Sequence, residues 1–224
     1  MLDFRELFVK HIYADHNKSR AASLALEDMI SNYDSAKDVG LNIGGGNTHY
    51  GENIKNLELE PNDNVDLVGS VMHIPSNDEA FDFILSQEVL EHVENPFQAM
   101  KEMYRVLKFN GMGYIQLPFI IGYHPCPSDF YRFSHEGIVF LVEHAGFKVV
   151  NIGQTVGSAT GFYRILVEFF AVFFSALWNK LYIPSKAFAA LLFFPIKYLD
   201  FILDRSSQSK RIAGGFYVVF KKER

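Results

Sequence analysis

Two kinds of hydrophobic pattern alternate along this chain. Short apolar runs lie at 38–43, 56–59, 65–68, 81–85, 113–117, 147–152 and 216–220. Apolar residues instead recur every three or four positions at 2–12, 18–32, 95–110 and 134–146. Short runs are typical of buried strands and the longer period is typical of helices, so the pattern predicts strands that alternate with helices. This order indicates an α/β fold with a largely parallel sheet covered by helices on both faces.

Two of the predicted helices carry boundary residues. Asn95 and Pro96 have the types preferred at the N-cap and the first helical position, and Asn110-Gly111 is expected to end that helix. Ser134 is expected to cap the next helix and Gly146 to stop it. These signals fix the two helices more firmly than periodicity alone.

Residues 161–204 form an apolar insertion before the last predicted strand. They hold nine of the 22 phenylalanines, but charged residues and Pro195 interrupt the apolar stretches. A spanning helix needs about 20 predominantly apolar residues, which neither stretch supplies. Two interpretations stay open: a helix pair that acts as a lid or homodimer contact, or an in-plane membrane contact aided by Trp178, Tyr182 and the basic tail.

Composition favours one globular domain, because the chain has 224 residues of which 49% are apolar. We divide it into N-terminal helices (1–34), a core (38–160), the insertion (161–204) and a closing strand (212–224). Residues 1–160 hold 11 Lys and Arg against 22 Asp and Glu, whereas 161–224 hold 10 against 4. An acidic main body disfavours nucleic acid as a partner. The single cysteine and the charged N-terminus fit a cytoplasmic protein without a secretory signal.

The first strand of the core ends on three glycines, Gly44, Gly45 and Gly46. Glycine lets a ligand approach bare backbone, and ligands of α/β sheets bind beyond the carboxyl ends of the strands. Glu58, near the end of the second strand, is placed to accept hydrogen bonds from a ribose. Ser70 follows the third strand on the same side. Together these residues indicate a nucleotide-like cofactor.

The joint pattern resembles the class I S-adenosylmethionine-dependent methyltransferases of the methyltransferase type 11 group. The matching runs are LNIGGGN, LELEP, VDLVGS, FDFILSQEVLEHV, RVLKFNG and YIQLP. The resemblance implies a Rossmann-like, seven-stranded sheet with an antiparallel last strand. It also implies S-adenosylmethionine as the cofactor, bound by Asn42, Gly44, Gly45, Gly46, Glu58, Leu59, Ser70, Val71, Met72 and Gln87.

Three positions depart from the family pattern. Asn42 stands where an acidic residue is usual, Thr48 replaces a glycine, and Ser70 replaces an aspartate. Each side chain can still form hydrogen bonds. The departures leave open a second interpretation, a non-catalytic member that binds S-adenosylmethionine or S-adenosylhomocysteine as a sensor or scaffold.

The candidate catalytic residues are Glu88, His92 and His124. Methyl transfer requires alignment of nucleophile and methyl group, and a general base assists a hydroxyl acceptor. By the resemblance, the loop after the fifth strand faces the acceptor, and its candidate substrate residues are Tyr123, His124, Asp129, Tyr131 and Arg132. The alternative for Asp129 and Arg132 is a structural ion pair that fixes the loop.

Glu88, Glu91 and His92 have the spacing E-x-x-E-H. Similar residues hold Mg²⁺ in some methyltransferases, where the ion lowers the pKa of a hydroxyl. The alternative, which the sequence favours, is that Glu91 and His92 brace the loop without a metal.

From the resemblance we expect methyl transfer to a small or lipid-linked acceptor, with oxygen as the first choice of acceptor atom. We expect a cytoplasmic protein, with peripheral contact at the inner face of the membrane as the further alternative.

Overall fold

The computed structural model describes residues 19–34, 36–46 and 48–224. The predicted helix 2–12 therefore lies outside the described residues. Seven strands are present: β1 Gly40–Ile43, β2 Ile54–Glu58, β3 Leu67–Val68, β4 Phe81–Gln87, β5 Leu107–Pro118, β6 Lys148–Val156 and β7 Gly215–Lys221. The α-helices are α1 Arg20–Ser31, α2 Pro96–Val106, α3 His135–His144, α4 Ser158–Ser175, α5 Tyr182–Phe193 and α6 Asp200–Leu203.

The strands form one sheet in the order β3-β2-β1-β4-β5-β7-β6. Strands β1 to β5 pair in parallel. Strand β7 runs antiparallel to β5, because backbone bonds join Asn110 to Lys222 at one end and Phe119 to Gly214 at the other. The predicted seven-stranded sheet with an antiparallel last strand is confirmed.

The chain order reverses at β1, which lies between β2 and β4. Ile43 pairs with Leu57 on one side and with Ser86 on the other. The loops after these strands therefore emerge together at one edge of the sheet. Such a switch point is where open α/β sheets bind their ligands.

The described chain divides into two compact units. The sheet unit comprises 21–118, 124–153 and 216–224 with the gaps at 35 and 47, and the helical unit comprises 19–20, 119–123 and 154–215. The core of the sheet unit includes Phe83, Leu85 and Tyr114. The helical unit has its own small core, in which Tyr163 and Val167 of α4 pack with Ala189 and Ala190 of α5.

The start of α2 follows the prediction, whereas its end does not. Asn95 Oδ1 accepts a hydrogen bond from Gln98 N at 3.0 Å, with Pro96 at the first helical position. The helix ends at Val106, and 107–111 form an irregular start of β5 instead of a last helical turn. The prediction that Asn110-Gly111 ends the helix is therefore wrong.

Lys222 supplies the physical reason for this early end. Its buried Nζ donates to Tyr104 O at 2.9 Å and to Leu107 O at 2.7 Å. These carbonyls lie at the C-terminus of α2, where intrahelical partners are missing. A lysine distant in sequence thus replaces the local glycine cap that the sequence suggested.

Replacing Lys222 by Met is expected to lower the free energy of unfolding by about 2–4 kcal/mol. The variant loses charge-assisted hydrogen bonds, each contributing about 1.5–3 kcal/mol, and leaves two carbonyls unsatisfied. Denaturant unfolding measures the change, and the neighbouring, more exposed Lys221→Met serves as the control. Equal stability of the two variants would show that Lys222 does not hold the end of α2.

One described helix, α4, is long and apolar enough to pass a composition test for a membrane span, and 39% of that stretch is buried within the protein. Core helices of proteins that do not enter membranes pass the same test.

The start of α4 is fixed by Asp200, whose carboxylate accepts hydrogen bonds from Ala159 N and Thr160 N at 2.6 and 3.0 Å. An acidic group at a helix N-terminus is favourable because it meets unsatisfied N–H groups and the positive end of the dipole.

Candidate active site

A cleft of about 490 Å³ opens at the carboxyl ends of β1, β2, β3 and β4. Seven of the ten predicted cofactor residues line it: Gly44, Gly46, Glu58, Leu59, Ser70, Val71 and Met72. They come from the loops after three adjacent strands. The structure therefore brings together most of the residues that the sequence assigned to one cofactor.

Gly44 and Gly45 are required by close packing. Gly44 has a φ of +67°, and a Cβ there would lie 2.3 Å from Val89 Cγ2. A Cβ at Gly45 would lie 2.0 Å from Asn42 Nδ2. Side chains larger than hydrogen would displace both the loop and the residues beneath it.

Asn42, Gly45 and Gln87 do not line the cleft, so the structure does not bring them to the other cofactor candidates. Asn42 is 1% exposed, and its Nδ2 donates to Asn56 Oδ1 at 2.9 Å inside the sheet. Gln87 Nε2 donates to Tyr50 Oη at 2.7 Å. The unusual Asn42 is therefore satisfied by a partner in the neighbouring strand.

Glu58 is held against the glycine loop. Its Oε1 accepts a hydrogen bond from Gly46 N at 2.6 Å. Its carboxylate lines the cleft and offers further lone pairs there, because an ionised carboxylate accepts about four hydrogen bonds. The second strand and the glycine loop are thus joined at the point where the sequence predicts ribose binding.

The loop after β5 contributes different residues from those predicted. Cys126, Pro127, Ser128 and Phe130 line the cleft, whereas none of the five predicted substrate residues does. Tyr131 Oη donates to Glu94 O at 2.9 Å, and the side chain of Tyr123 is 78% exposed.

Asp129 and Arg132 form the ion pair that the sequence left as the alternative. Arg132 Nη2 donates to Asp129 Oδ2 at 2.6 Å, and Asp129 also accepts from His124 N at 2.8 Å. The Arg132 guanidinium lowers the pKa of Asp129 below its ordinary value. The pair fixes the loop, which explains why these charges are turned away from the cleft.

Glu91 is the most unusual buried group of the described chain. It is fully buried, and neither carboxylate oxygen accepts a hydrogen bond from any described residue. His92 Nε2 and His124 Nε2 lie 3.7 and 3.8 Å from its Oε1. An ionised carboxylate without hydrogen bonds is costly to bury, so the site calls for a compensating positive charge.

The backbone fixes these three side chains in place. Phe130 N and Tyr131 N both donate to Glu91 O, at 2.8 and 3.3 Å, which ties the loop to the short 3₁₀ turn Leu90–His92. His92 Nδ1 donates to Ser128 O at 2.5 Å, which leaves its Nε2 as the acceptor in the neutral ring.

The possible metal ligands are Glu91, His92 and His124, whose ligand atoms lie within 4.8 Å of one another. The predicted set named Glu88 and did not include His124. Glu88 has a φ of +56° and precedes the 3₁₀ turn, so an α-helical spacing does not apply. It lines the cleft, and its Oε1 accepts from Gln116 Nε2 at 3.3 Å.

Solved structures of other proteins share this fold. The 1,6-didemethyltoxoflavin-N1-methyltransferase of Burkholderia thailandensis, solved with S-adenosylhomocysteine, is similar with a TM-score of 0.57 and 12% identity, over 98% of this chain and 87% of that one. The [4+2]-cyclase SpnF is similar with a TM-score of 0.55 and 18% identity, over 94% of this chain and 86% of that one. At these identities the likeness concerns the fold.

Residues 46–115 match the family model described as a methyltransferase domain. This stretch of the chain is similar to the methyltransferase domain family. The Rossmann-like fold predicted from the sequence is confirmed, and the match supports the predicted methyltransferase family with S-adenosylmethionine as its cofactor. The acceptor is not determined by these matches, because one neighbour is an N1-methyltransferase and another is a cyclase.

The methyltransferase is also similar to an uncharacterised protein of Methanocaldococcus jannaschii, with 33% identity over 94 residues. This match covers 37% of this chain and 46% of that protein. The matched region thus spans less than half of that relative.

The sequence analysis did not identify several residues that line the cleft, because none of them belongs to a recognisable motif. Val89, Val93, Cys126 and Phe130 are the main examples. These apolar residues lie beside E-x-x-E-H or in a proline-containing loop. Their residue types alone do not indicate a binding or catalytic role. The bonds from 130–131 to Glu91 O and from His92 Nδ1 to Ser128 O show that the two segments meet.

Proposed function

We propose that this methyltransferase transfers a methyl group from S-adenosylmethionine to an oxygen atom of a small or lipid-linked acceptor. The observation that supports an oxygen acceptor is the buried Glu91 with two histidine Nε2 atoms beside it. His92 belongs both to this cluster and to the cleft wall. The cluster is therefore in a position to act on a ligand in the cleft.

The cofactor end of the cleft is formed by Gly44, Gly46, Glu58 and Ser70. The glycines allow close approach of the ligand to backbone, and the Glu58 carboxylate suits ribose hydroxyls. Ser70 Oγ accepts a hydrogen bond from Met72 N at 3.2 Å. This bond holds the loop after β3, which would lie beside the adenine of the cofactor. S-adenosylmethionine supplies the electrophilic methyl group when it is bound.

The acceptor end of the cleft is formed by His92, Ser128 and Phe130. Phe130 provides an apolar wall, which excludes water and favours an acceptor with a hydrophobic part. Holding the nucleophile in line with the methyl group accounts for most of the expected rate enhancement. Glu88, at the end of β4, is the candidate general base on this wall.

His124 takes a different role from the predicted base. It does not line the cleft, and its Nε2 faces Glu91. Its Nε2 could hold a cation together with Glu91 and His92 if the proton of the neutral ring moved to Nδ1, which would require release of the Arg132 Nη2 contact to Nδ1 at 3.2 Å. A divalent ion held there would lower the pKa of an acceptor hydroxyl.

The donor set bears on the choice of metal. Mg²⁺ prefers oxygen ligands, whereas two imidazoles and one carboxylate suit ions such as Zn²⁺, Fe²⁺ or Mn²⁺. We therefore propose a transition-metal ion rather than the Mg²⁺ considered from the sequence.

The competing role of the cluster is a loop brace without a metal. Arg132 Nη2 lies 3.2 Å from His124 Nδ1, and a hydrogen bond there leaves the proton of a neutral ring on Nε2, facing Glu91. In that state an N–H group of a neutral ring, and not a cation, faces the buried carboxylate at 3.8 Å. The metal and brace roles differ in one measurable respect, the response to a chelator.

The direct test combines calorimetry with product analysis. We expect purified protein to bind S-adenosylmethionine and S-adenosylhomocysteine, and to transfer a ¹³C-labelled methyl group to hydroxyl-bearing acceptors, including polyprenol-linked sugars. The ¹³C chemical shift of the product distinguishes an O-methyl from an N-methyl group. A product methylated on nitrogen or carbon would overturn the oxygen assignment.

A non-catalytic cofactor-binding role is the second candidate, since Ser70 departs from the family pattern within the cleft itself. Binding of both cofactor forms without turnover on any acceptor would favour this role. Absence of binding to either form would defeat both candidates.

A further inference from the structure

The helical unit has exposed apolar side chains that do not take part in its own hydrophobic core. On α4, the side chains Phe162, Ile165, Phe169, Val172 and Phe173 are exposed. Their spacing of one, three or four residues puts them along one side of the helix. The opposite side carries the residues that pack against α5. Helix α4 is therefore apolar on two faces, of which only one is covered within the unit.

The exposed apolar residues continue beyond α4. Helix α5 exposes Ile183, Phe188, Leu191 and Leu192, and the segment after it exposes Phe201 and Ile202. Of the 26 large hydrophobic residues exposed in the described chain, 15 lie between 158 and 203. Single exposed apolar residues are ordinary, but a concentration of this kind indicates an interaction surface.

The charges of this unit are predominantly positive. Residues 154–215 hold seven Lys and Arg against three Asp and Glu. Two of the three acidic residues have partners inside the unit, since Asp200 accepts from the start of α4 and Glu168 pairs with Lys186 at 2.8 Å. The unit therefore presents little negative charge to a partner.

Basic groups also lie over exposed aromatic rings. Lys180 Nζ lies 5.7 Å from the centre of the Trp178 ring, and the Arg205 guanidinium lies 4.6 Å from that of Phe201. Aromatic rings with cationic neighbours are typical of side chains at a membrane interface, where the ring meets acyl chains and the cation meets headgroups.

We propose that the exposed apolar face of the helical unit binds the surface of an anionic lipid bilayer, with α4 and α5 lying in the plane of the interface. Basic residues near such a surface are attracted to its negative charge. A second copy of this chain is a poorer occupant, because a symmetric dimer would bring the same positive side chains towards each other. The inference does not rest on methyl transfer, although a bilayer is where a lipid-linked acceptor resides.

Vesicle co-sedimentation of the full chain tests the proposal. We expect binding to vesicles of equimolar phosphatidylcholine and phosphatidylglycerol, and weaker binding to phosphatidylcholine alone. Raising the salt concentration is expected to weaken the binding to anionic vesicles, because it screens the charge attraction. The measurement needs neither cofactor nor acceptor, so its outcome is separate from that of the methyl-transfer assay.

Two pairs of substitutions separate the apolar and the charge contributions. Phe169→Ser with Phe173→Ser removes exposed apolar area and is expected to weaken binding by about 100-fold. Lys180→Glu with Arg205→Glu is expected to weaken binding to anionic vesicles by about tenfold or more. The matched control is Leu24→Ser with Phe140→Ser, two exposed apolar positions of the sheet unit, which should leave binding unchanged.

Circular dichroism and light scattering complete the test. All variants should retain the wild-type spectrum and melting temperature, which excludes unfolding as the cause of lost binding. The proposal would be overturned if the wild-type protein did not bind anionic vesicles. It would also be overturned if the control pair of substitutions weakened vesicle binding as much as the Phe169 and Phe173 pair. A wild-type dimer that the Phe169 and Phe173 variant converts to a monomer, without vesicle binding, would assign the surface to a second copy instead.

Discussion

Replacing Glu91 by Gln is expected to lower kcat of methyl transfer by about 10²–10³-fold while leaving the affinity for S-adenosylhomocysteine unchanged. Lewis-acid stabilisation by a bound metal contributes several kcal/mol, and each 1.4 kcal/mol corresponds to a factor of about ten. Glu91 contributes the only negative charge of the three candidate ligands. It does not line the cleft, so cofactor affinity has no reason to change.

The measurement compares treated and untreated enzyme. Wild-type protein is stripped with a chelator and then supplied with Mg²⁺, Mn²⁺ or Zn²⁺, while metal content is determined by mass spectrometry. We expect wild-type activity to fall and to return with Mn²⁺ or Zn²⁺ better than with Mg²⁺. The Glu91→Gln variant should retain less metal and recover little activity. Glu143→Gln, an exposed carboxylate on α3, is the matched control and should behave as wild type.

Full wild-type activity in the presence of chelator would contradict the metal proposal. In that event a lower melting temperature of Glu91→Gln would identify the Glu91 carboxylate as a structural group that holds His92 and His124 in place. A bound metal and a brace are thus distinguished by chelator response, whatever the size of the activity loss.

Local sequence signals predicted most of the sheet unit. The strands and the caps at Asn95 and Ser134 follow from periodicity and from residue types that satisfy helix N–H groups. The end of α2 could not be predicted in this way. It depends on Lys222, which is more than 100 residues away in sequence and becomes a neighbour only when β7 pairs with β5.

The cofactor wall was also largely predictable, because parallel strands end at the same edge of a sheet. Gly44, Gly46, Glu58 and Ser70 needed only their positions after successive strands. Asn42 does not lie with these residues, because its side chain donates to Asn56 inside the sheet. Sequence alone did not show that partner.

The proposed acceptor end of the cleft was less predictable, because the sequence analysis favoured charged residues over the apolar residues next to them. Asp129 and Arg132 neutralise each other, whereas Phe130 between them lines the cleft. Similarly, His124 joined the metal candidates only through the fold, being 32 residues from His92 in sequence. The conformation of the loop decides whether Phe130 lines the cleft and whether His124 lies beside Glu91. Loops show less sequence periodicity than helices and strands, so this conformation was not predictable from the pattern.

Replacing Gly44 by Ala is expected to weaken S-adenosylmethionine binding by at least about tenfold and to destabilise the fold. The left-handed backbone costs a non-glycine residue about 1–2 kcal/mol, and overpacking against Val89 adds about 1–3 kcal/mol. Relief of this strain moves the loop or Val89, both of which line the cleft. Calorimetric titration measures the affinity, and denaturant unfolding measures the stability.

Two further variants separate clash from backbone strain. Gly46 has a φ of +57° but no atom within 4 Å of a Cβ, so Gly46→Ala carries the conformational cost alone and should lose less stability than Gly44→Ala. Val89→Ala added to Gly44→Ala removes the clashing methyl group and should restore part of both stability and affinity, a coupling expected of residues in contact. If Gly44→Ala bound the cofactor as tightly as wild type, the glycine run would not be a wall of the cofactor site. If instead Val89→Ala gave no recovery, strain at φ rather than contact with Val89 would explain why glycine is needed there.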